Sequence, residues 1–583
     1  MSILKTLYTP WGEALDKEHP LPEYPRPQLV RESYLNLNGV WDYTVESGDE
    51  RKSGRIVVPF SPESLLSGCD FQLQKDEVLV YERTFTLPEG FRKDRVLLHF
   101  GAVDQVCTVF VNGQDVGGHE GGYLPFTLDI TDALAEGENR LTVRVTDRTE
   151  DSPFAYGKQR YERGGIWYTA QSGIWQTVWM ESVPANYIRS VRFDVDFDNR
   201  RVAWKIDADN PDCANVVVRM NGTVIAEDWA KEDGSGFSLI MDESFRPWSP
   251  EDPFLYDVEI ALGENRVRSY FGMRKFSTVL WRGFRVMALN NEPYFQTGLL
   301  DQGYWSDGLY TAPSDEAMIY DIQTMKDMGF NMLRKHIKVE PLRWYYHCDR
   351  LGMIVWQDAP SGGDHTPHIY ALPSFYGQSR VGDAPSALNG RANRKGCDQH
   401  EKDLAAMMEL LHNCVSLGLW VPFNEGWGQF EAKRICEKVK AADPDRLVDH
   451  ASGWHDQGVG DLRSYHIYHH PLKTMRNDRR RALALTEFGG YGLPVEGHHT
   501  TDRSWGYLDY ADGKALMAAL KKLYLGEVLP EIRRKGLSAA VYTQVSDVED
   551  EVNGFLTYDR RVCKADIAKM RAYNRALRFP RKK

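Results

Sequence analysis

The sequence predicts two antiparallel β-sandwiches followed by a (β/α)₈ barrel. Three observations carry that reading. Short apolar, β-branched runs alternate with turn signals up to about residue 275. After Phe276 the rhythm changes to strand-like runs separated by helix-length amphipathic stretches, the signature of βα units around a parallel sheet. The chain also has 583 residues, 42% of them hydrophobic, enough for several cores and too apolar for a disordered protein.

The first sandwich is assigned to residues 1–185. Its strands are the runs VLVYERTFTL, VLLHF, CTVFVNG, LTVRVTD and IWQTVWM, with turns at Asn112-Gly113 and Gly121-Gly122. A break near Pro184 opens the second sandwich, residues 186–275. There SVRFDVDF, VAWKIDA, VVVRMNG, LYDVEIAL and VRSYFGM suit a small seven-strand unit. The barrel takes residues 276–583, with candidate strands at 294–299, 331–336, 353–356, 417–423, 446–449, 464–467, 482–486 and 539–543. Eight strands in about 300 residues match a closed barrel better than an open sheet. No internal repeat or low-complexity tract interrupts the pattern.

Composition excludes several function classes. A net charge of -12, from 71 Lys plus Arg against 83 Asp plus Glu, lacks the footprint of a nucleic-acid binder. Residues 1–20 contain no apolar run of secretory or membrane-spanning length, so a cytoplasmic location is expected and a membrane partner is not. Eight cysteines, Cys69, Cys107, Cys213, Cys348, Cys397, Cys414, Cys436 and Cys563, lie scattered without a CxxC pair and read as mostly buried thiols. His466, His469 and His470, and the pair His498-His499, lack the spacing of a transition-metal site. No P-loop or post-strand GxGxxG occurs, and no cofactor is expected. The basic end RFPRKK reads as a solvated tail. Homo-oligomerisation is left open. Sixteen Trp and 29 Tyr exceed what cores need, and flat rings suit sugars.

In such a barrel, reactive groups stand at the C-terminal ends of strands. Two ionisable residues meet that condition. The run LGLWVPF ends in Asn424-Glu425 before Gly426-Trp427-Gly428, and ALALT ends in Glu487 before Phe488-Gly489-Gly490. Each Glu sits where a hydrophobic strand opens into a glycine-rich loop. Opposed carboxylates are what glycoside hydrolysis requires: one carboxyl gives a proton to the departing oxygen, while the other stays ionised at the anomeric centre. Their separation, which decides between retention and inversion, is a structural quantity.

Beyond these residues, the chain resembles glycoside hydrolase family 2, the family of β-galactosidases, β-glucuronidases and β-mannosidases, over nearly its whole length. VFVNGQDVGGHEGGYLPFTLDIT and GGIWYTAQSGIWQTVWME are similar to its sugar-binding jelly-roll domain. RPWSPEDPFLYDV and YFGMRKF resemble the end of its immunoglobulin-like domain and the approach to its barrel, and VPFNEGWGQFE with LTEFGG follow in the family's order. The resemblance implies that Glu425 is the acid/base and Glu487 the nucleophile of a retaining mechanism. It further implies that Asn424 bonds the sugar 2-hydroxyl, and that Tyr468 orients the nucleophile, with Tyr465 and His466 as neighbours able to take that place. Arg334 would lie beneath the nucleophile and His336 on the sugar, although NMLRKHIKVEP has one residue fewer between its Arg and His than the family's NAVRTSHYP. Asp358 and Trp454 occupy loops that would supply a hydroxyl acceptor and a stacking face. At the uronate-gripping Asn-x-Lys position stands Asn553-Gly554-Phe555, so a glucuronidase is disfavoured. The chain ends soon after the barrel, and contacts made by the extra C-terminal sandwiches of large β-galactosidases are not carried over. The expected function is release of a terminal sugar, β-galactosidase-like, from an oligosaccharide or glycoside. Alternatives are an α-L-arabinofuranosidase or β-D-galactofuranosidase on the same scaffold, and a non-catalytic carbohydrate-binding protein.

Overall fold

The structure, a computed structural model, describes residues 5–211, 214–229, 238–364 and 381–580. Cys213 and the last three residues of the basic tail lie outside these. None of the seven described cysteines is bridged, and five of them are buried.

The first sandwich stacks a six-stranded sheet on a four-stranded one. Inward-facing Trp41, Tyr81, Leu98, Val109, Val143 and Met180 form its core. Asn112 and Gly113, with φ of 52° and 81°, make the tight turn between Val106–Val111 and Gln114–Glu120. Gly121-Gly122 forms no hairpin. Here the chain crosses from the six-stranded sheet to Phe126–Asp129 in the other. A Cβ on Gly122 would lie 2.0 Å from Asp104 Oδ1, so the crossing tolerates no side chain.

The second sandwich packs sheets of three and four strands, seven in all among the described residues. Two of them, Thr223–Trp229 and Ser238–Ile240, have no counterpart in the apolar runs of the sequence. Thr223–Trp229 is exposed on nearly every residue, so neither face imposes an alternating pattern.

The parallel rhythm does not begin at Phe276. Phe276–Trp281 and Phe284–Leu289 form an antiparallel hairpin around Arg282-Gly283, both at positive φ. Its Phe276, Met287 and Leu289 share one core with Leu300, Met332, Trp356, Leu419, Ala484 and Val541 of the barrel strands. The hairpin therefore floors the barrel and leaves the opposite end for a site.

The barrel strands are β1 (Gln296–Asp301), β2 (Met332–Lys335), β3 (Ile354–Asp358), β4 (Leu417–Val421), β5 (Leu447–Val448), β6 (Leu462–Ile467), β7 (Ala482–Gly489) and β8 (Leu537–Thr543). Parallel pairing runs β5-β4-β3-β2-β1-β8-β7-β6, a nearly closed ring. Between β5 and β6 one backbone bond, Asp461 N–H to Val448 O at 2.9 Å, is reinforced by side chains. Val448 N–H donates to Asp461 Oδ2 at 2.9 Å, and Ser464 Oγ to Asp449 Oδ1 at 2.8 Å. The loop after β5 is rich in Gly and Asp, the loop after β6 carries Pro471 and is dominated by His and Arg, and neither forms an α-helix. Among the described residues no helix is long and apolar enough to cross a membrane.

The first sandwich reaches over the open end of the barrel. Arg163 pairs with Asp550 at 3.2 Å, Thr169 N–H donates to Glu549 at 2.9 Å, and Tyr168 Oη donates to Glu551 at 2.7 Å. The acidic run Glu549-Asp550-Glu551 is thus a docking strip for the segment 163–169.

Candidate active site

Two local distortions present the paired glutamates. Beyond β4, Glu425 takes a left-handed backbone conformation, φ 51°, with its N–H bonded to Ser452 O at 3.0 Å. That conformation costs a non-glycine residue about 1–2 kcal/mol. Glu487 lies within β7, which runs on to Gly489. The register of β7 against β8 shifts between Leu485 and Phe488, and that of β6 against β7 between Tyr465 and His466. Such irregularities re-aim a side chain, here that of the Glu between the shifts. A carboxylate oxygen of Glu425, one of Glu487 and a ring nitrogen of His466 all lie within 4.8 Å of one another.

Arg334, at the end of β2, organises the floor of this site. Nε and Nη2 grip Asp358 at 2.9 Å each, Nη1 donates to Glu487 Oε1 at 3.2 Å and Thr486 O at 3.1 Å, and Nη2 also reaches Asn424 Oδ1 at 2.8 Å. The guanidinium is fully buried, and despite that burial Asp358 and Glu487 hold its pKa above the ordinary value. Because removing one partner of a buried ion network strands the other charges, Arg334→Met should destabilise the protein by roughly 3–5 kcal/mol. Thermal denaturation checks this; an unchanged Tm would show that the network contributes nothing net.

The other expected residues divide. Asn424 accepts from Arg334 through Oδ1, leaving its amide hydrogens for another acceptor. Tyr468 Oη donates to Glu487 Oε2 at 2.6 Å and contacts Thr543 Oγ1 at 2.8 Å, while burial pushes its pKa well up. Tyr465 instead bonds the backbone of Arg476. His336 is buried, with Nδ1 2.7 Å from Asp358 Oδ2, and burial holds its pKa well below the usual imidazole range. Asp358 departs from the expected hydroxyl acceptor. It is 1% exposed and both its oxygens are committed to Arg334 and His336, so it positions those two from within. Trp454 is half-buried, its ring 6.1 Å from that of Trp427, which in turn lies 5.9 Å from Trp167 of the first sandwich. Three indoles from three segments thus cluster about Trp427, which bonds Glu425. Asn553 is buried beneath the rim, bonded to Gln544 at 2.8 Å and Glu551 at 3.0 Å.

His466 is the residue that sequence reasoning under-weighted. Its Nδ1 is 2.7 Å from Glu425 Oε1 and 3.4 Å from Glu487 Oε2, and its Nε2 is 3.1 Å from Ser452 Oγ. Burial presses the Glu425 pKa upward, but the hydrogen bond and electrostatic effect of His466, aided by Lys158 and a bond from Trp427, bring it below the ordinary carboxylate value. Tyr507 stacks on Tyr468 with centroids 3.6 Å apart. The one signal for either residue is position: His466 is two residues before Tyr468, hence on the same face of the strand exit. The other suspected histidines diverge, His498 to Asp559 and His499 to Val495 O.

Three family models match the chain: the family 2 glycosyl hydrolase sugar binding domain at residues 70–184, the central family 2 domain at 186–274, and the family 2 TIM barrel domain at 287–487. Among curated relatives, the β-galactosidase of Thermoanaerobacter pseudethanolicus is 27% identical over 300 residues, 48% of this chain and 39% of its own. The chain spans less than two fifths of the length of the first such relatives. Among solved structures, the β-D-glucuronidase of Dictyoglomus thermophilum aligns with a TM-score of 0.74 at 19% identity, over 96% of this chain and 99% of the other. A β-galacturonidase from Eisenbergiella tayi, bound to galacturonate, aligns with a TM-score of 0.70 at 19% identity, over 95% and 99%. At that identity the likeness is one of fold.

Proposed function

The chain belongs to glycoside hydrolase family 2, and from that premise we propose that it is a retaining exo-glycosidase releasing a terminal sugar by double displacement. The observation that carries this reading is the approach of the Glu425 and Glu487 oxygens to within 4.8 Å. Retaining enzymes hold their carboxyls about 5–5.5 Å apart, whereas inverting ones need ~6.5–9.5 Å to admit a water between them.

Glu487, gripped by Arg334 and Tyr468, is the nucleophile that attacks the anomeric carbon. Glu425 gives its proton to the departing oxygen, then takes one from the water that attacks the glycosyl ester. Esterification of Glu487 removes a negative charge beside Glu425, lowering its proton affinity at the moment a base is needed. Asn424, fixed by Arg334, donates to the 2-hydroxyl. Trp167, Trp427 and Trp454 line the leaving-group side, next to the acid.

The sugar we favour is a β-galactoside. Sequence relatives of that activity support it, as does the missing cation at Asn553-Gly554-Phe555. A panel of 4-nitrophenyl glycosides including β-galactoside, furanosides and uronides tests the choice. Product NMR at early times tests the stereochemistry: the β-anomer is expected first, and immediate inversion would refute double displacement.

The position of His466 adds a pH prediction. Glu425 must be protonated for glycosylation, so kcat/KM falls as pH rises through its pKa. His466 lowers that pKa; its removal raises it. In His466→Ala the alkaline limb of the kcat/KM profile should therefore move to higher pH. An unmoved limb would sever His466 from the acid.

A further inference from the structure

The first sandwich holds Lys158 against the exits of the barrel strands that carry the site. Residues 153–160 bind the end of β3: the N–H groups of Tyr156 and Gly157 donate to Ser361 O at 3.0 and 2.9 Å, and Tyr156 Oη donates to Gly363 O at 2.8 Å. Gly157, at φ +63°, is wedged so tightly that a Cβ would lie 2.5 Å from Tyr123 Oη and 3.1 Å from Ile337 O, the residue after His336. On the other side, Lys158 O accepts from Tyr168 N–H at 2.9 Å, and Tyr168 Oη bonds Glu551. Lys158 is therefore clamped between the exits of β2 and β3 and the acidic strip after β8.

Its side chain is half-buried. Among the described residues its ammonium makes no hydrogen bond and no ion pair, unlike buried Lys335, Lys338 and Lys564, each of which pairs with an acid. Its charge is nonetheless felt at Glu425, Asp358, His336 and Glu551, groups from three sides of the site. A partly desolvated ammonium held on a rigid segment without an acceptor is an unspent set of donors.

We propose that Lys158 is a specificity-determining residue, donating from its ammonium to neighbouring hydroxyls of a neutral terminal sugar. The inference rests on the glycosidase reading above. An ammonium has three donors and no acceptor, so it reads oxygen lone pairs on the sugar and can serve two adjacent hydroxyls at once. The sugar is neutral on this reading because the position that would grip a sugar carboxylate, Asn553-Gly554-Phe555, carries no cation, and Asn553 is itself tied to Gln544 and Glu551.

The test uses the full chain, the best 4-nitrophenyl glycoside of the panel and its monodeoxy derivatives. Lys158→Met should keep the wild-type Tm, since no internal bond is lost, while kcat/KM falls roughly 10- to 100-fold through KM as well as kcat. In the wild type, deleting the hydroxyl that Lys158 reads should cost a similar factor; in Lys158→Met the same deletion should cost nothing further. A structural role would leave the deoxy penalties equal in both proteins and would overturn the proposal, as would unchanged kcat/KM in Lys158→Met or a wild-type preference for uronides. Failure of the wild type on every glycoside would instead bring down the activity itself, and this inference with it.

Discussion

Glu487→Gln should lower kcat by roughly four to six orders of magnitude while leaving the protein folded. The amide keeps the shape of the carboxylate: its oxygen faces Arg334 Nη1, which also keeps Thr486 O, while its NH₂ donates to Tyr468 Oη, whose own hydrogen turns to Thr543 Oγ1. What the substitution removes is the anionic oxygen that attacks the anomeric carbon to form the glycosyl ester. A Tm within a few degrees of wild type, with turnover lost, separates chemistry from folding. A 2-deoxy-2-fluoro glycoside with a good leaving group should label the wild type one-to-one, because the fluorine slows hydrolysis of the ester more than its formation. Peptide mapping of the adduct checks the site. Attachment at any other residue would falsify Glu487 as the nucleophile.

The barrel and both glutamates were legible in the sequence because each rests on a local signal. Buried strands such as LGLWVPF and ALALT are apolar on both faces, and a charged residue at their end has no structural reason to be there. The seven-strand sandwich was legible as a count, yet Thr223–Trp229 was not legible as a strand, since an exposed edge carries no alternation. The floor hairpin at Phe276–Leu289 was hidden for a different reason. Its apolar runs resemble barrel strands, and only pairing direction distinguishes them. Asp358 illustrates the limit for the site: a carboxylate at a strand exit is expected to face substrate, but which way it turns depends on Arg334 and His336 at the exit of the neighbouring strand, a pairing unreadable from spacing. Lys158 and Trp167 lie in another domain altogether. Their arrival depends on the docking of residues 153–169 onto the barrel, a long-range packing event with no local pattern.

Glu425→Ala should separate two steps that use one side chain. In the first step the need for a proton grows with the basicity of the leaving group. A disaccharide leaves as an alkoxide unless Glu425 protonates it, and the variant should be slowed about 10²- to 10⁴-fold. A dinitrophenolate leaves unaided, so formation of the glycosyl ester on Glu487 should proceed at close to the wild-type rate. The second step then limits turnover, because water lacks the base that Glu425 supplies, and a burst of dinitrophenol should precede slow release. Azide needs no deprotonation. Entering the space vacated by the carboxylate, beside His466, it should attack the ester and restore turnover, giving a glycosyl azide of retained configuration through two inversions. The lost side chain also frees His466 Nδ1, 2.7 Å from the former Oε1, as a donor that favours an anion there. Burst kinetics and product NMR measure both predictions. Equal impairment on the disaccharide and the dinitrophenyl glycoside, without response to azide, would remove Glu425 from the acid/base role and leave His466 as the nearest group able to carry a proton between the two faces of the site.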